Sequence, residues 1–204
     1  QLASWKNVLL NYSISPIQQY SYTTGKNSTD AALIIDAMDI LYSNNVDGFC
    51  IVSSDSDFTK LAARLREAGM YVIGMGERKT PKPFISACEK FKYLEVLASM
   101  DPKHTETITI KGAQIQEELK GGMISSAKLV EAIKTIITEI SDEDGWAFLG
   151  ELGSTLNKRY PDFDTRNYGY AKLTPFVASL KYFEIRSTKT SNPSISLKYI
   201  RNKE

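Results

Sequence analysis

The 204 residues include only two cysteines and one histidine. The thiols, Cys50 and Cys88, are too few for a disulfide framework and read as core residues. A lone His104 excludes a His-rich zinc centre, and a Ser-His or Cys-His nucleophile has only that imidazole to use. No apolar run approaches the roughly 18 residues of a membrane span. No signal peptide opens the chain as given, so the expected location is the reduced cytoplasm. An excess of one charge is missing too: 25 Lys and Arg stand against 24 Asp and Glu. That balance excludes a histone-like polycation and an acidic tail, but not a local basic face. What remains is ordinary, with 42% hydrophobic and 24% charged residues, and excludes wholesale disorder. The length suits one large domain or two small ones.

The chain has two unlike parts. In residues 1–97, Ser4–Asn11 reads as the end of a helix, Ile17–Tyr22 as a strand and Thr29–Ser43 as a helix buried on most sides. Phe49–Val52 reads as a parallel strand covered on both faces, and Phe58–Ala68 as a helix stopped by Gly69. Tyr71–Met75 predicts a strand, Pro83–Lys90 a helix and Tyr93–Leu97 a last strand. This alternation implies an α/β sheet with right-handed crossovers. Residues 98–124, with Asp101-Pro102, Gly112 and Gly121-Gly122, read as a linker carrying a short helix near Gln114–Leu119. In residues 125–204 the pattern predicts helices over Ser125–Ile140, Leu149–Arg159 and Tyr168–Leu180, the last disturbed by Pro175. Pro161–Asn167 is a turn, and strands follow at Phe183–Arg186 and Ile195–Ile200. Three helices and a hairpin predict a winged-helix-like domain.

The strongest chemical signal is Ser53-Ser54-Asp55-Ser56-Asp57, directly after the strand Phe49–Val52. Ligands of open α/β sheets bind beyond the carboxyl ends of strands. Carboxylates and hydroxyls there suit a hard divalent cation, and Asp30 opens the helix after Lys26-Asn27-Ser28-Thr29. The competing account is helix capping, with Thr29 and Ser56 as caps and Asp30 and Asp57 in first turns; it leaves Asp55 unexplained. Gly74-Met75-Gly76 lacks the third glycine of a dinucleotide fingerprint and reads as a strand-to-loop turn, with Arg78 and Lys79 within reach of a phosphate backbone. Farther on, Lys158, Arg159, Arg166 and Lys172 interleave with Tyr160, Tyr168 and Tyr170, a pattern for phosphate contacts and base stacking. The plainer reading puts Tyr170, Trp146, Phe148, Phe163 and Phe176 in a small core.

Several stretches are similar to known families. Lys26-Asn27-Ser28-Thr29-Asp30, Val46-Asp47-Gly48-Phe49-Cys50-Ile51-Val52-Ser53-Ser54-Asp55-Ser56-Asp57-Phe58 and Leu65-Arg66-Glu67-Ala68-Gly69 resemble the NYN family, the LabA-like branch of the PIN-like nucleases. Asp144-Gly145-Trp146, Leu152-Gly153, Tyr160-Pro161-Asp162-Phe163-Asp164 and Asn167-Tyr168-Gly169-Tyr170 resemble an OST-HTH, or LOTUS, domain. The pairing is familiar in bacterial proteins. The first resemblance implies a PIN-like, Rossmann-like sheet and RNA hydrolysis with Mg²⁺ or Mn²⁺. It implies Asp30, Asp55 and Asp57 as catalytic metal ligands, supported by Asn27, Ser53 and Ser54. The second implies RNA capture, for which Lys158, Arg159, Arg166, Tyr168 and Lys172 are the candidates beside Arg78 and Lys79 of the first part, or docking of a protein partner.

One departure stands out. The NYN pattern begins with a strand carrying a first acid followed closely by Asn, and residues 1–16 contain no Asp or Glu. The expectation is an NYN domain over 1–97 that is incomplete at its N-terminus, and a chain that as written is weakly active or inactive. Two functions follow: a metal-dependent ribonuclease with a LOTUS domain that captures RNA, or a non-catalytic adaptor built on a degenerate nuclease fold.

Overall fold

The computed structural model describes residues 5–9, 11–20, 28–98, 126–189 and 196–203, which fall into two compact units, 1–46 and 47–204. The linker, His104 and the expected helix Gln114–Leu119 lie outside the described residues. The protein is mixed α/β.

In the first unit, helix α1 covers Lys6–Leu9 and helix α2 Ser28–Ser43. The expected strand Ile17–Tyr22 does not form over residues 17–20, which have no regular structure and leave Ile17 and Tyr20 exposed. Residues 21 and 22 lie outside the described set. An apolar run becomes a strand only where a ladder partner takes up its backbone groups. The expectation of a buried α2 also fails. Of its residues only Ala37 is buried, while Ile35, Ile40 and Tyr42 are exposed. Apolar residues on most sides of a helix need cover on most sides, and the sequence pattern cannot supply it.

The second unit opens on a parallel sheet of β1 (Gly48–Val52), β2 (Tyr71–Gly76) and β3 (Lys90–Tyr93), in that order. Gly48 pairs with Tyr71, and Ile73 with Lys90. Contrary to expectation, β1 is covered on one face only. Ile51 is buried, whereas Cys50 and Val52 point to the other face and are exposed. Cys88 is buried as expected, and desolvation pushes its thiol up to about 12.

A 3₁₀ turn, Ser56–Phe58, leads into helix α3, Thr59–Glu67. Its end is a Schellman motif. The Met70 N–H donates to Leu65 O, the Gly69 N–H donates to Arg66 O, and Gly69 takes φ +84°. Helix α4 (Lys82–Ala87) leads into β3, and helix α5 (Leu94–Ala98) follows it. The strand expected over Tyr93–Leu97 is therefore displaced. Phe91 and Tyr93 alternate into the core, while the apolar run beyond them, partly exposed at Leu94 and Leu97, coils into α5.

Gly74 and Gly76 lie inside β2, not in a turn as expected. A Cβ on Gly74 would come within 2.6 Å of the Phe91 ring, and one on Gly76 within 2.5 Å of Ser53 O. The two glycines leave a flat strip on which Phe91 lies, with its ring edge-on to Phe84 and Tyr93 at 6.0 and 5.3 Å.

The remainder of the second unit packs helices α6 (Ser126–Ile140), α7 (Leu149–Arg159) and α8 (Leu173–Ser179) against an antiparallel sheet. Its strands are β4 (Ala147–Phe148), β5 (Phe183–Lys189) and β6 (Ser196–Asn202), in the order β4-β6-β5. Ile133, Leu152, Leu156, Phe176 and Ile200 form its core. Two details depart from the sequence reading. The third helix begins at Leu173, because Tyr168 ends a 3₁₀ turn that Gly169 closes at φ +82°. Pro175 then sits in the first turn of α8, where a missing N–H disturbs nothing. Phe148 is exposed, and Trp146 lies under the Arg186 and Arg201 guanidinium groups rather than in the core.

The open edge of β3 is closed by the loop after α7. The Phe91 N–H donates to Pro161 O at 2.8 Å, and the Tyr93 hydroxyl donates to Asp162 Oδ2 at 2.8 Å in a buried contact. Lys92 Nζ meets Asp164 Oδ2 at 2.5 Å. Burial raises the Asp162 carboxyl despite the Tyr93 hydrogen bond. At Asp164 burial also works upward, but hydrogen bonds from Arg166 and Lys92 outweigh it and hold the carboxyl well below the usual range. A carboxyl depressed in the fold contributes stability that is complete above its unfolded value of about 4. That contribution is lost as pH falls through the folded value. The thermal midpoint of the wild type is expected to drop more steeply below pH ~4 than that of Asp164→Asn, the two curves converging in acid. Parallel curves would show that the pair adds no stability.

Candidate metal and nucleic-acid site

The backbone positions the acidic loop before any side chain does. β1 ends at Val52, and the Ser53 N–H donates to Met75 O at 2.8 Å, which extends the pairing with β2 by one residue. The Glu77 N–H then donates to Ser54 Oγ at 2.8 Å. Glu77 O accepts from both the Thr80 N–H and the buried Thr80 hydroxyl, so the turn after β2 is held against the loop after β1. The close approach of Ser53 O to Gly76 depends on the absent side chain. Sequence reading missed this role of Gly76; a glycine inside a β-strand pattern was its only signal.

Within the loop, the Asp55 N–H donates to Ser53 Oγ at 3.1 Å, and the Asp57 N–H donates to Asp55 Oδ1 at 3.0 Å. Asp55, not Ser56, is thus the cap of the 3₁₀ turn, and Asp57 sits inside that turn. The capping account was expected to leave Asp55 unexplained, and Asp55 is the residue that caps. Both carboxylates are exposed, and Ser53 and Ser54 are half-buried beneath them. An open hollow of about 420 Å³ is lined by Ser53, Ser54, Asp55, Ser56 and Pro81. Every donor there is an oxygen, the set that suits Mg²⁺ or Mn²⁺ and not a soft metal. Asp30 occupies the first turn of α2 in the first unit and is half-buried. Asn27 lies outside the described residues.

The candidate RNA-contacting residues sit in varied surroundings. Arg78, Lys79, Lys158, Arg159, Arg166 and Lys172 are all exposed. Lys79 pairs with Glu77 at 2.6 Å, Arg159 pairs with Glu139, and Arg166 pairs with Asp164 at 2.6 Å. The Lys79 and Arg159 pairs are exposed, are worth little and can be exchanged for a phosphate, whereas Arg166 is committed to the largely buried Asp164 carboxylate that also takes Lys92. Tyr168 is different. Its ring packs on Phe176 at 5.1 Å between centroids, and burial raises its hydroxyl.

Among the described residues, no helix is long and apolar enough to cross a membrane. No curated protein and no solved structure matches the chain. Family models do match it: the NYN domain over residues 1–95 and the OST-HTH/LOTUS domain over residues 124–195. NYN domains are nucleases and LOTUS domains bind RNA. The chain therefore carries an NYN domain followed, in that order, by an OST-HTH/LOTUS domain.

Proposed function

We propose that this protein is a metal-dependent ribonuclease whose NYN domain hydrolyses RNA phosphodiester bonds and whose LOTUS domain captures the RNA. The observation that carries the reading is the oxygen-lined loop at the carboxyl end of β1, hydrogen-bonded to β2 through Met75 O and to the turn after β2 through the Glu77 N–H. Asp30, Asp55 and Asp57 are the residues to hold Mg²⁺ or Mn²⁺, with Asn27, Ser53 and Ser54 as supporting hydrogen bonders. A bound divalent ion supplies a water of lowered pKa and charge to offset the phosphoryl transition state. The protein's own contribution is orientation. Asp55 is held by the Asp57 N–H, and Ser54 by the Glu77 N–H, so the loop keeps one shape. Arg78, Lys79, Lys158, Arg159, Arg166 and Lys172 offer charge to the RNA backbone, whereas the Tyr168 ring is taken up by packing on Phe176.

A second reading has one observation in its favour. Asp55 already performs a structural task as a cap. That is compatible with a non-catalytic adaptor that binds RNA or docks a protein. The deciding experiment is cleavage of labelled single-stranded and structured RNA by the full-length gene product with Mn²⁺, with Mg²⁺ and with chelator. Metal-dependent cleavage that Asp57→Asn abolishes is expected. A folded protein that binds RNA without cutting it would establish the adaptor instead.

A further inference from the structure

A cleft of about 490 Å³ opens where the parallel sheet meets the C-terminal helices, at the end of the sheet opposite the acidic loop. Its sheet wall is Arg66, Tyr71 and Lys90, from the end of α3 and the starts of β2 and β3. Its other wall is the last turn of α7, with Asn157, Lys158 and Arg159. Four cations thus line one cleft. Among the described residues Glu89 is the one acid on its wall, and it pairs with Arg66 at 2.9 Å while accepting from the Val72 N–H at 2.8 Å. Arg159 pairs with the exposed Glu139 on α6. Lys90 and Lys158 have no ion-pair partner among the described residues.

Tyr71 is 48% exposed at the mouth. The cleft combines unpaired ammonium groups, an amide, and an aromatic face open to solvent. Phosphates take the first two and an unstacked base takes the third. Its two walls are held together by the Phe91–Pro161, Tyr93–Asp162 and Lys92–Asp164 contacts, so the cations come preplaced.

We infer that this cleft is a second binding site for the RNA backbone, in which Lys90 and Lys158 contact phosphates and Tyr71 stacks on a base. The inference rests on the RNA-directed reading above and adds Arg66, Tyr71 and Lys90 to it. β2 runs from the cleft to the acidic loop and spans about 17 Å at ~3.3 Å per residue, so one strand of RNA would lie along the sheet with its anchor several nucleotides from the cut.

The test is fluorescence anisotropy of a labelled 20-nucleotide single-stranded RNA, in chelator, across a salt series. Each lysine removed is expected to flatten the slope of log K against log salt by about 0.7. For the double variant Lys90→Ala/Lys158→Ala that amounts to roughly 10- to 30-fold weaker binding at 0.1 M salt. Lys90→Gln/Lys158→Gln, which keeps more of each stem, is expected to show the same slope change. Wild-type affinity and slope in both double variants would overturn the cleft, whatever the cleavage assay shows. Cleavage is scored separately with metal on the wild type. A protein that binds RNA through these lysines but does not cut it sinks the nuclease reading and leaves the cleft standing.

Discussion

In Asp55→Asn, metal-dependent RNA cleavage is expected to fall by roughly 10²- to 10⁴-fold while the fold keeps its stability. The substitution separates the two tasks this side chain can have. As a cap, Asp55 uses Oδ1 to accept from the Asp57 N–H. Asparagine offers the same carbonyl-type oxygen and ranks with aspartate as a cap, so the 3₁₀ turn survives. As a ligand, Asp55 supplies a negative oxygen to a hard cation, and an amide supplies only a weak neutral one. A loss of several kcal/mol in transition-state stabilisation corresponds to the stated rate change, at about 1.4 kcal/mol per factor of ten. A second readout stands apart from activity. Mn²⁺ is expected to raise the thermal midpoint of the wild type by binding the folded state alone, and to leave that of Asp55→Asn unmoved. Asp55→Ala removes cap and ligand together, and adds a stability loss of about 1 kcal/mol. Wild-type cleavage by Asp55→Asn would reduce the carboxylate to a cap and favour the adaptor.

The largest stability effect is expected at Phe91→Ala, which should cost about 3–5 kcal/mol. Phe91 is 1% exposed. Its ring fills the strip left by Gly74 and Gly76 and meets Phe84 and Tyr93 edge-on. No backbone shift can close that gap cheaply, because the strip is a paired strand and β3 is tied through the Phe91 N–H to Pro161. In urea denaturation the loss reads directly, and in a thermal scan it appears as a fall of roughly 6–20 °C. Phe91→Leu retains much of the volume and is expected to cost less than half as much. The damage extends to the acidic loop, since Ser53 O rests against Gly76. A change below 1 kcal/mol in Phe91→Ala would mean that the glycine strip does not hold the sheet together.

Legibility followed the range of the interaction. Helix α7 appears at its expected bounds, Leu149–Arg159, and Gly69 stops α3 as expected, because caps and helical periodicity act within a few residues. The acidic loop was legible for the same reason: a strand followed at once by hydroxyls and carboxylates is a local pattern. The misread strands and the misread burial of α2 turned on partners distant in sequence. Ile17–Tyr22 and Tyr93–Leu97 carry apolar runs that suit a strand, yet only a ladder partner makes one, and β3 found its partner in β2 starting three residues earlier, at Lys90. The helix expected over Thr29–Ser43 looked buried on its apolar content, yet of α2 only Ala37 is buried.

The identity of the two domains, the order in which they occur and the place of Asp55 and Asp57 were determined by sequence alone, since each resides in a contiguous motif. Only the tertiary structure decided that Gly76 admits Ser53 and that Lys92 and Tyr93 meet acids about seventy residues later. It also decided that Lys90 and Lys158 line one cleft. Hydrogen bonds, close approaches and shared clefts depend on distances in space, and residues far apart in the chain acquire such distances only when the sheet and the C-terminal helices pack.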